Sequence, residues 1–193
     1  MKEYGFFGGS FDPIQFGHLN LIIEIKEKLN LQKILICPAS ITPFKMKNPP
    51  KTKAKDRLEM LRIALKNLKD FEIIELEIKQ EKVSYTIDTL NILKNNYKKL
   101  RLIITEEALL TFHLWKDYKK VLEIAPPIVG VRNKYLKEFK SENFTLTSKN
   151  FVKTNIFEIS STDVRQRLKK RIYASHLVPK EVLDYIYQRK LYF

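Results

Sequence analysis

The chain has 193 residues, 44% of them hydrophobic, enough to bury one substantial core, which excludes a disordered or collagen-like polymer. No apolar run approaches the roughly 20 residues of a membrane-spanning helix; the longest, near Ile124 to Val131, is broken by Pro126 and Pro127. The 36 Lys and Arg against 22 Asp and Glu give a net charge of +14, which favours anionic partners such as phosphates and nucleotides. Because the lysines are spread over nearly every predicted helix and no basic-aromatic platform stands out, neither nucleic acid nor a membrane is an expected partner. The opening Met1, Lys2, Glu3 runs straight into Tyr4 to Phe7, without the pattern of a secretory signal. One cysteine, Cys37, permits no internal disulfide and no cysteine-based zinc site, so a cytoplasmic location is expected.

In chain order, Tyr4 to Phe7 reads as a strand that breaks at Gly8 and Gly9, and Leu19, Ile22, Ile23, Ile25 and Leu29 then recur at near-helical spacing. Lys33 to Cys37 reads as a buried strand ending at Pro38, followed by a Pro- and Lys-rich loop to about Lys53. A helix over Ala54 to Leu68 would carry Leu58, Leu61, Ala64, Leu65 and Leu68 on one face. Ile74, Leu76 and Ile78 alternate with Glu75 and Glu77, predicting a strand over Phe71 to Ile78. A helix over Tyr85 to Tyr97, a strand over Arg101 to Thr105, a helical stretch over Glu106 to Ala125 broken near Trp115, and a strand over Pro127 to Val131 follow.

Residues Arg132 to Asn150 are polar and poorly periodic, an excursion before a last strand over Phe151 to Phe157. Ser160 with Asp163 three residues on opens a capped helix to about Arg171, and Pro179 at a first helical position opens another through Val182, Leu183 and Ile186. Repeated alternation of strand and helix predicts an α/β fold: a Rossmann-like, doubly wound, mainly parallel sheet flanked by helices, with a small helical C-terminal tail over 158–193. No linker or repeat divides the chain, so 1–193 reads as one domain.

In such a sheet the first strand-to-helix turn is the usual phosphate site. Here it reads Gly8-Gly9-Ser10-Phe11-Asp12-Pro13-Ile14-Gln15-Phe16-Gly17-His18. The spacing Gly9 to Gly17 is too wide for a dinucleotide fingerprint, and no Gly-Lys-Ser/Thr follows as in a P-loop. Gly17-His18 stands where the helix begins, so its amides and imidazole are placed to face an anion. Taken alone, the turn and the Ser160 to Arg165 string have ordinary structural explanations, a glycine turn and a capped surface helix.

Together they are more specific. The string G-G-S-F-D-P-I-x-x-G-H-L resembles the signature of the nucleotidylyltransferase superfamily with the His/Thr-x-Gly-His motif, and most closely the bacterial nicotinate-nucleotide adenylyltransferase family. Ile159-Ser160-Ser161-Thr162-Asp163-Val164-Arg165 is similar to that family's second phosphate element, Ser84-Tyr85-Thr86 to its substrate loop, Phe112 with Trp115 to its F-x-x-W, and Leu177-Val178-Pro179 to Leu191-Tyr192 to its ending. The resemblance implies transfer of the adenylyl group of ATP to nicotinate mononucleotide, giving nicotinate adenine dinucleotide and pyrophosphate, with Mg2+ arriving on ATP and no metal ligands from the protein. It implies catalytic roles for His18 as a protonated imidazole, Arg165, Lys45 and Gln15, and ATP contacts from Gly8, Gly9, Ser10, Phe11, Ser160, Ser161, Thr162 and Glu107. Thr86, Tyr85 and Trp115 would bind the acceptor, Trp115 by stacking on its pyridine ring; Thr86 as a plain helix N-terminal residue and Trp115 as core packing are the structural alternatives. A monomer or small homo-oligomer is expected.

Three places depart from the family pattern. Gln15 stands where the first motif histidine belongs, Pro43-Phe44-Lys45 where P-H-K belongs, and Ile103-Ile104-Thr105-Glu106-Glu107 where I-I-G-x-D belongs. Gln15 can still donate an N–H to phosphate but brings no charge. These departures leave two further readings open: a degenerate member that binds nucleotide or a protein partner without turnover, and an adenylyltransferase with another acceptor such as nicotinamide mononucleotide.

Overall fold

A computed structural model describes residues 2–80, 82–131, 138–155, 157 and 159–193. Six strands form one all-parallel sheet: β1 (Tyr4–Gly9), β2 (Lys33–Pro38), β3 (Phe71–Ile73), β4 (Leu100–Thr105), β5 (Pro127–Val131) and β8 (Phe151–Lys153), in the order β3-β2-β1-β4-β5-β8. The central strands are almost wholly apolar, as strands covered on both faces must be. On one face α1 (Phe16–Lys28), α2 (Ala54–Leu65), α6 (Ser161–Lys169) and α7 (Lys180–Gln188) bury Ile22, Ile25, Leu61, Val164, Val182 and Ile186 in one core. On the other, α3 (Thr86–Leu93), α4 (Glu106–Leu110) and α5 (Tyr118–Ile124) bury Leu90, Leu109, Phe112 and Val121. The expected doubly wound fold is therefore present, and the C-terminal helices share the main core instead of trailing from it.

Strand order reverses between β1 and β4, so the crevice at their carboxyl ends is the topological switch point where this architecture places ligands. Gly8 and Gly9 end β1 there and Thr105 ends β4. A short antiparallel hairpin, β6 (Glu138–Lys140) with β7 (Thr145–Thr147), occupies the stretch with no sequence period; 132–137 of that stretch lie outside the described residues.

Several boundaries differ from the sequence expectation, among them the end of α2, at Leu65 instead of Leu68. The third strand stops at Ile73, because beyond its pairing with β2 the chain turns over 76–79 and swings Glu77 inward, where its carboxylate accepts from Thr89 Oγ1 at 2.6 Å. The last strand stops at Lys153, with Thr154 N–H on Val131 O closing its pairing; 156 of the predicted strand lies outside the described residues. The third helix ends at Leu93. Pro179 is the cap of α7 and not its first residue, a shift of one position.

Candidate active site

The turn after β1 closes over an apolar floor. Phe11 takes a left-handed backbone (φ 48°) and is buried against Phe7 and the edge of His18, the His18 ring centroid 5.3 Å away. A side chain at Gly9 would press on the Phe11 ring at 3.0 Å, so glycine is required for this packing. Phe11, expected near ATP, thus contributes its side chain to the core.

Gln15 caps α1, and it does more than cap. Its Oε1 accepts from Gly17 N–H at 3.0 Å and its Nε2 donates to Ile159 O at 2.7 Å, with only 3% of the residue exposed. A Cβ at Gly17 would lie 2.7 Å from that Oε1, so the cap itself demands glycine. The Gln15 backbone N–H donates to His18 Nδ1 at 3.3 Å. An imidazole accepting at Nδ1 carries its proton on Nε2, which fixes the tautomer.

The amide of Phe16 donates to Leu177 O, that of Gly17 to Gln15, and those of His18 and Leu19 to Gln15 O. The N-terminus of α1, expected to offer amides to an anion, is therefore satisfied internally. At α6 the opposite holds. Ser160 Oγ caps the Asp163 amide, Val164 N–H binds Ser160 O, and the amides of Ser161 and Thr162 find no acceptor among the described residues. The positive end of this helix is the free one.

Three contacts stitch the two motifs together across some 150 residues of chain: Gln15 Nε2 to Ile159 O, Ser161 Oγ to Pro13 O at 3.2 Å, and Arg165 Nη1 to Asp12 O at 2.7 Å. Arg165 Nη2 also reaches Thr162 Oγ1 at 3.1 Å. Lys45 sits in a single 3-10 turn, Pro43–Lys45. Although the residue is exposed as a whole, its pKa is lowered, first by loss of water around the ammonium and next by repulsion from Arg165, with Asp12 opposing. His18 is pushed down to about 4, chiefly by burial and secondarily by Lys45, so the ring is neutral at pH 7 and donates only through Nε2. The expected protonated imidazole, which the resemblance implied for the phosphate-bound state, is thus not the form of the unliganded protein.

Two site residues escaped the sequence reading. Arg57 is a fully buried guanidinium that binds the carbonyls of Ser10 (2.7 Å), Ala39 (2.6 Å) and Ser40 (3.1 Å), locking the ends of β1 and β2 side by side. Asp12, 4% exposed, accepts from Lys51 N–H, Thr52 Oγ1 and Tyr192 OH at 2.6 to 2.8 Å.

The cytidylyltransferase-like family model matches residues 6–167. Probable nicotinate-nucleotide adenylyltransferases of Methylacidiphilum infernorum and Clostridium botulinum are 36% and 35% identical, covering 96% and 100% of this chain and 90% and 98% of the relatives. The chain belongs to the nicotinate-nucleotide adenylyltransferase family. In fold it is similar to Plasmodium falciparum nicotinic acid mononucleotide adenylyltransferase complexed with NaAD, with a TM-score of 0.76 at 19% identity over 100% of this chain and 98% of that one.

The two segments expected to take the acceptor, Ser84-Tyr85-Thr86 and that of Trp115, come together on the face of the sheet opposite α6. Ser84 is pinned to the end of β2 by its amide on Ile41 O (2.8 Å) and its Oγ under the Ser40 amide (3.1 Å), so the Ser84-Tyr85-Thr86 loop is held at the crevice. Thr86 is the first residue of α3 and half-buried; the Thr86 side chain makes no cap. Lys116 Nζ lies 4.6 Å from the Tyr85 ring centroid and 3.4 Å from Asp88, which joins the Trp115 segment to this loop. Trp115 is half-buried against Phe112, centroids 5.2 Å apart, and its indole N–H, shielded from water, has no acceptor among the described residues. The departures are accommodated locally. Thr105 caps α4 through the Ala108 amide, Glu107 stands exposed in that helix's first turn, and Phe44 points outward at 59% exposure.

Proposed function

We propose that the protein transfers the adenylyl group of ATP to the 5′-phosphate of nicotinate mononucleotide, forming nicotinate adenine dinucleotide and pyrophosphate. The observation that carries this reading is the convergence of two free α6 amides, Arg165, Lys45 and the His18 Nε2–H at the switch point, held by the stitching of Gln15 and Asp12 to α6. That relatives at 35 to 36% identity along the whole chain carry the name of this activity supports it.

In the reaction an oxygen of the acceptor phosphate attacks the α-phosphorus of ATP; a P–O bond forms as the bond to the β-phosphate oxygen breaks, and that electron pair leaves with pyrophosphate. No covalent intermediate is required, so the work is alignment and charge stabilisation. Arg165 and the amides of Ser161 and Thr162 would hold the departing phosphates, backed by the Ser160 cap. The His18 Nε2–H would donate to the phosphate being transferred, and Lys45 would follow the charge as a point cation. Gly8, Gly9, Ser10 and Phe11 offer backbone to the nucleotide, and Glu107 an acceptor for a ribose hydroxyl. Trp115, Tyr85 and Thr86 take the pyridine end, Trp115 by stacking its indole on the ring.

Magnesium, when bound, would neutralise triphosphate charge. The groups facing the phosphates are cations and amides, and the Asp12 oxygens are already filled by donors, so the ion fits as one held by ATP oxygens and water. Gln15 acts by position in this scheme. We read 1–193 as a single domain working in the cytoplasm as a monomer or small homo-oligomer; among the described residues no helix is long and apolar enough to cross a membrane. Folded protein incubated with Mg-ATP should release pyrophosphate faster with nicotinate mononucleotide than with nicotinamide mononucleotide. No product with either overturns the enzymatic reading, and a preference for the amide overturns the acceptor.

A further inference from the structure

A buried carboxylate beside a phosphate site calls for an explanation, since it would repel the ligand the site is built to attract. Asp12 is surrounded on the phosphate side by Arg165, whose Nη1 lies 2.7 Å from its carbonyl and 3.9 Å from Oδ2, and by the Lys51 amide and Thr52 hydroxyl of the loop that follows Lys45. Its remaining donor comes from the far end of the chain. Tyr192 OH donates to Oδ1 at 2.8 Å and lies 3.3 Å from Thr52 Oγ1.

The chain end is built to deliver that hydroxyl. After α7 the backbone reverses through Lys190 and Tyr192, both with positive φ (50° and 69°), and Leu191 N–H closes on Ile186 O. The helix itself is fixed to α2 by Tyr185 OH on Asp56 at 2.9 Å, with Arg189 3.6 Å from the same carboxylate. The Tyr192 ring packs on the main core while its hydroxyl alone reaches the site. Burial, and next the Asp12 charge, hold the phenol well above its ordinary pKa, so it stays a donor at any working pH.

We infer that Tyr192 is a positioning residue: a chain-end latch on Asp12 that, through this carboxylate, holds Arg165 and the Lys45 loop in the arrangement that receives the triphosphate. The inference rests on the proposed assignment of Arg165 and Lys45 to ATP. Among the described residues no hydrogen bond or ion pair links Ser84, Tyr85, Thr86 or Trp115 to this hub, so the latch should act on one substrate only.

Tyr192→Phe in the full chain keeps the ring packing and removes the hydroxyl. Expected is a roughly 5-fold loss of Mg-ATP affinity by calorimetry, the worth of about one hydrogen bond, with a matching fall in kcat/KM for ATP. KM for nicotinate mononucleotide should stay within about 2-fold, and cooperative melting should persist. Thr52→Val, which removes another donor to the same oxygen, should shift ATP affinity the same way. Unchanged ATP affinity in Tyr192→Phe, or equal losses for both substrates, overturns the latch. ATP binding involves no acceptor. A wild type that binds ATP without making product therefore defeats the proposed reaction while the two variants still decide the latch, and a wild type that does not bind ATP defeats both.

Discussion

Replacing Gln15 tests what kind of site this is. In the sequence it stands where the family has a histidine, and a rate gain on restoring the imidazole would be the natural expectation if phosphate were its partner. The structure gives it two protein partners instead, Gly17 N–H at 3.0 Å and Ile159 O at 2.7 Å, in a setting 3% exposed. Gln15→Leu removes both bonds and strands a donor and an acceptor, at about 1–3 kcal/mol each, so roughly 2–6 kcal/mol in all. For a chain of this size, at about 2–4 °C per kcal/mol, that corresponds to a fall of roughly 4–24 °C in Tm. Gln15→His behaves differently. A neutral imidazole can accept at one nitrogen and donate at the other, so it can keep both partners, and burial beside the Lys45 and Arg165 cations disfavours its charged form. The expected result is a Tm within about 3 °C of wild type and a rate within about 3-fold. Thermal melts monitored by circular dichroism, with pyrophosphate release on the same samples, decide it. A Gln15→His variant at least ten times faster, with a new limb in its pH profile, or a Gln15→Leu variant as stable as wild type, would refute the bridging role.

Arg165→Ala should lower kcat by about 100-fold while KM for nicotinate mononucleotide changes little, because a charged donor is lost from the leaving-group side; an unchanged kcat would make α6 merely structural. Trp115 fluorescence should be quenched by nicotinate mononucleotide, and Trp115→Ala should raise that KM with cooperative unfolding intact, whereas loss of cooperative melting would return the residue to the core. His18, lowered to about 4 in the folded chain against 6.5 unfolded, binds fewer protons folded than unfolded between those values. Its contribution, at most about 3 kcal/mol, is therefore present above pH 6.5 and lost as pH falls toward 4. Urea midpoints over that range should slope more steeply in wild type than in His18→Gln, and parallel slopes would remove the titration from this group.

The sheet and its helices were legible because each strand is a short apolar run and each helix repeats at about 3.6 residues. Both phosphate motifs were legible as local strings. Helix α2 is instructive: of the expected face Leu58, Leu61, Ala64, Leu65 and Leu68, Leu61 and Leu65 are buried, and the buried face also takes in Asp56, Arg57 and Met60. Treating charge as solvent-facing hid Arg57, the cation that binds the ends of β1 and β2 together. Asp56 and Arg57 stand at the right spacing from Met60 and Leu61 to have announced themselves. Glu77 misled in the same way, since its alternation with Leu76 and Ile78 reads as a strand until the buried Thr89 hydroxyl is known. Asp12 and Tyr192 could not be paired from sequence, because 180 residues separate them and neither position has a period that points at the other.

Charge economy explains why a neutral residue serves at position 15. Lys45, Arg57 and Arg165 share a desolvated corner with Asp12 as a close counter-charge, and Lys45 and His18 are shifted toward their neutral forms, first by burial and next by a neighbouring cation, Arg165 for Lys45 and Lys45 for His18. A further cation at position 15, on the other side of His18, would add repulsion to a site already short of anions. The fold instead assigns geometry to uncharged groups, the Gln15 amide, the His18 imidazole, the Ser160 cap and the Tyr192 hydroxyl, which in the proposed scheme leaves Arg165 and Lys45 for the ligand. On the proposed assignment, a triphosphate entering this corner would ease the repulsion between Lys45 and Arg165 as well as make its own contacts. Proton uptake should accompany that relief, since an anion beside His18 raises a pKa that burial and Lys45 now depress.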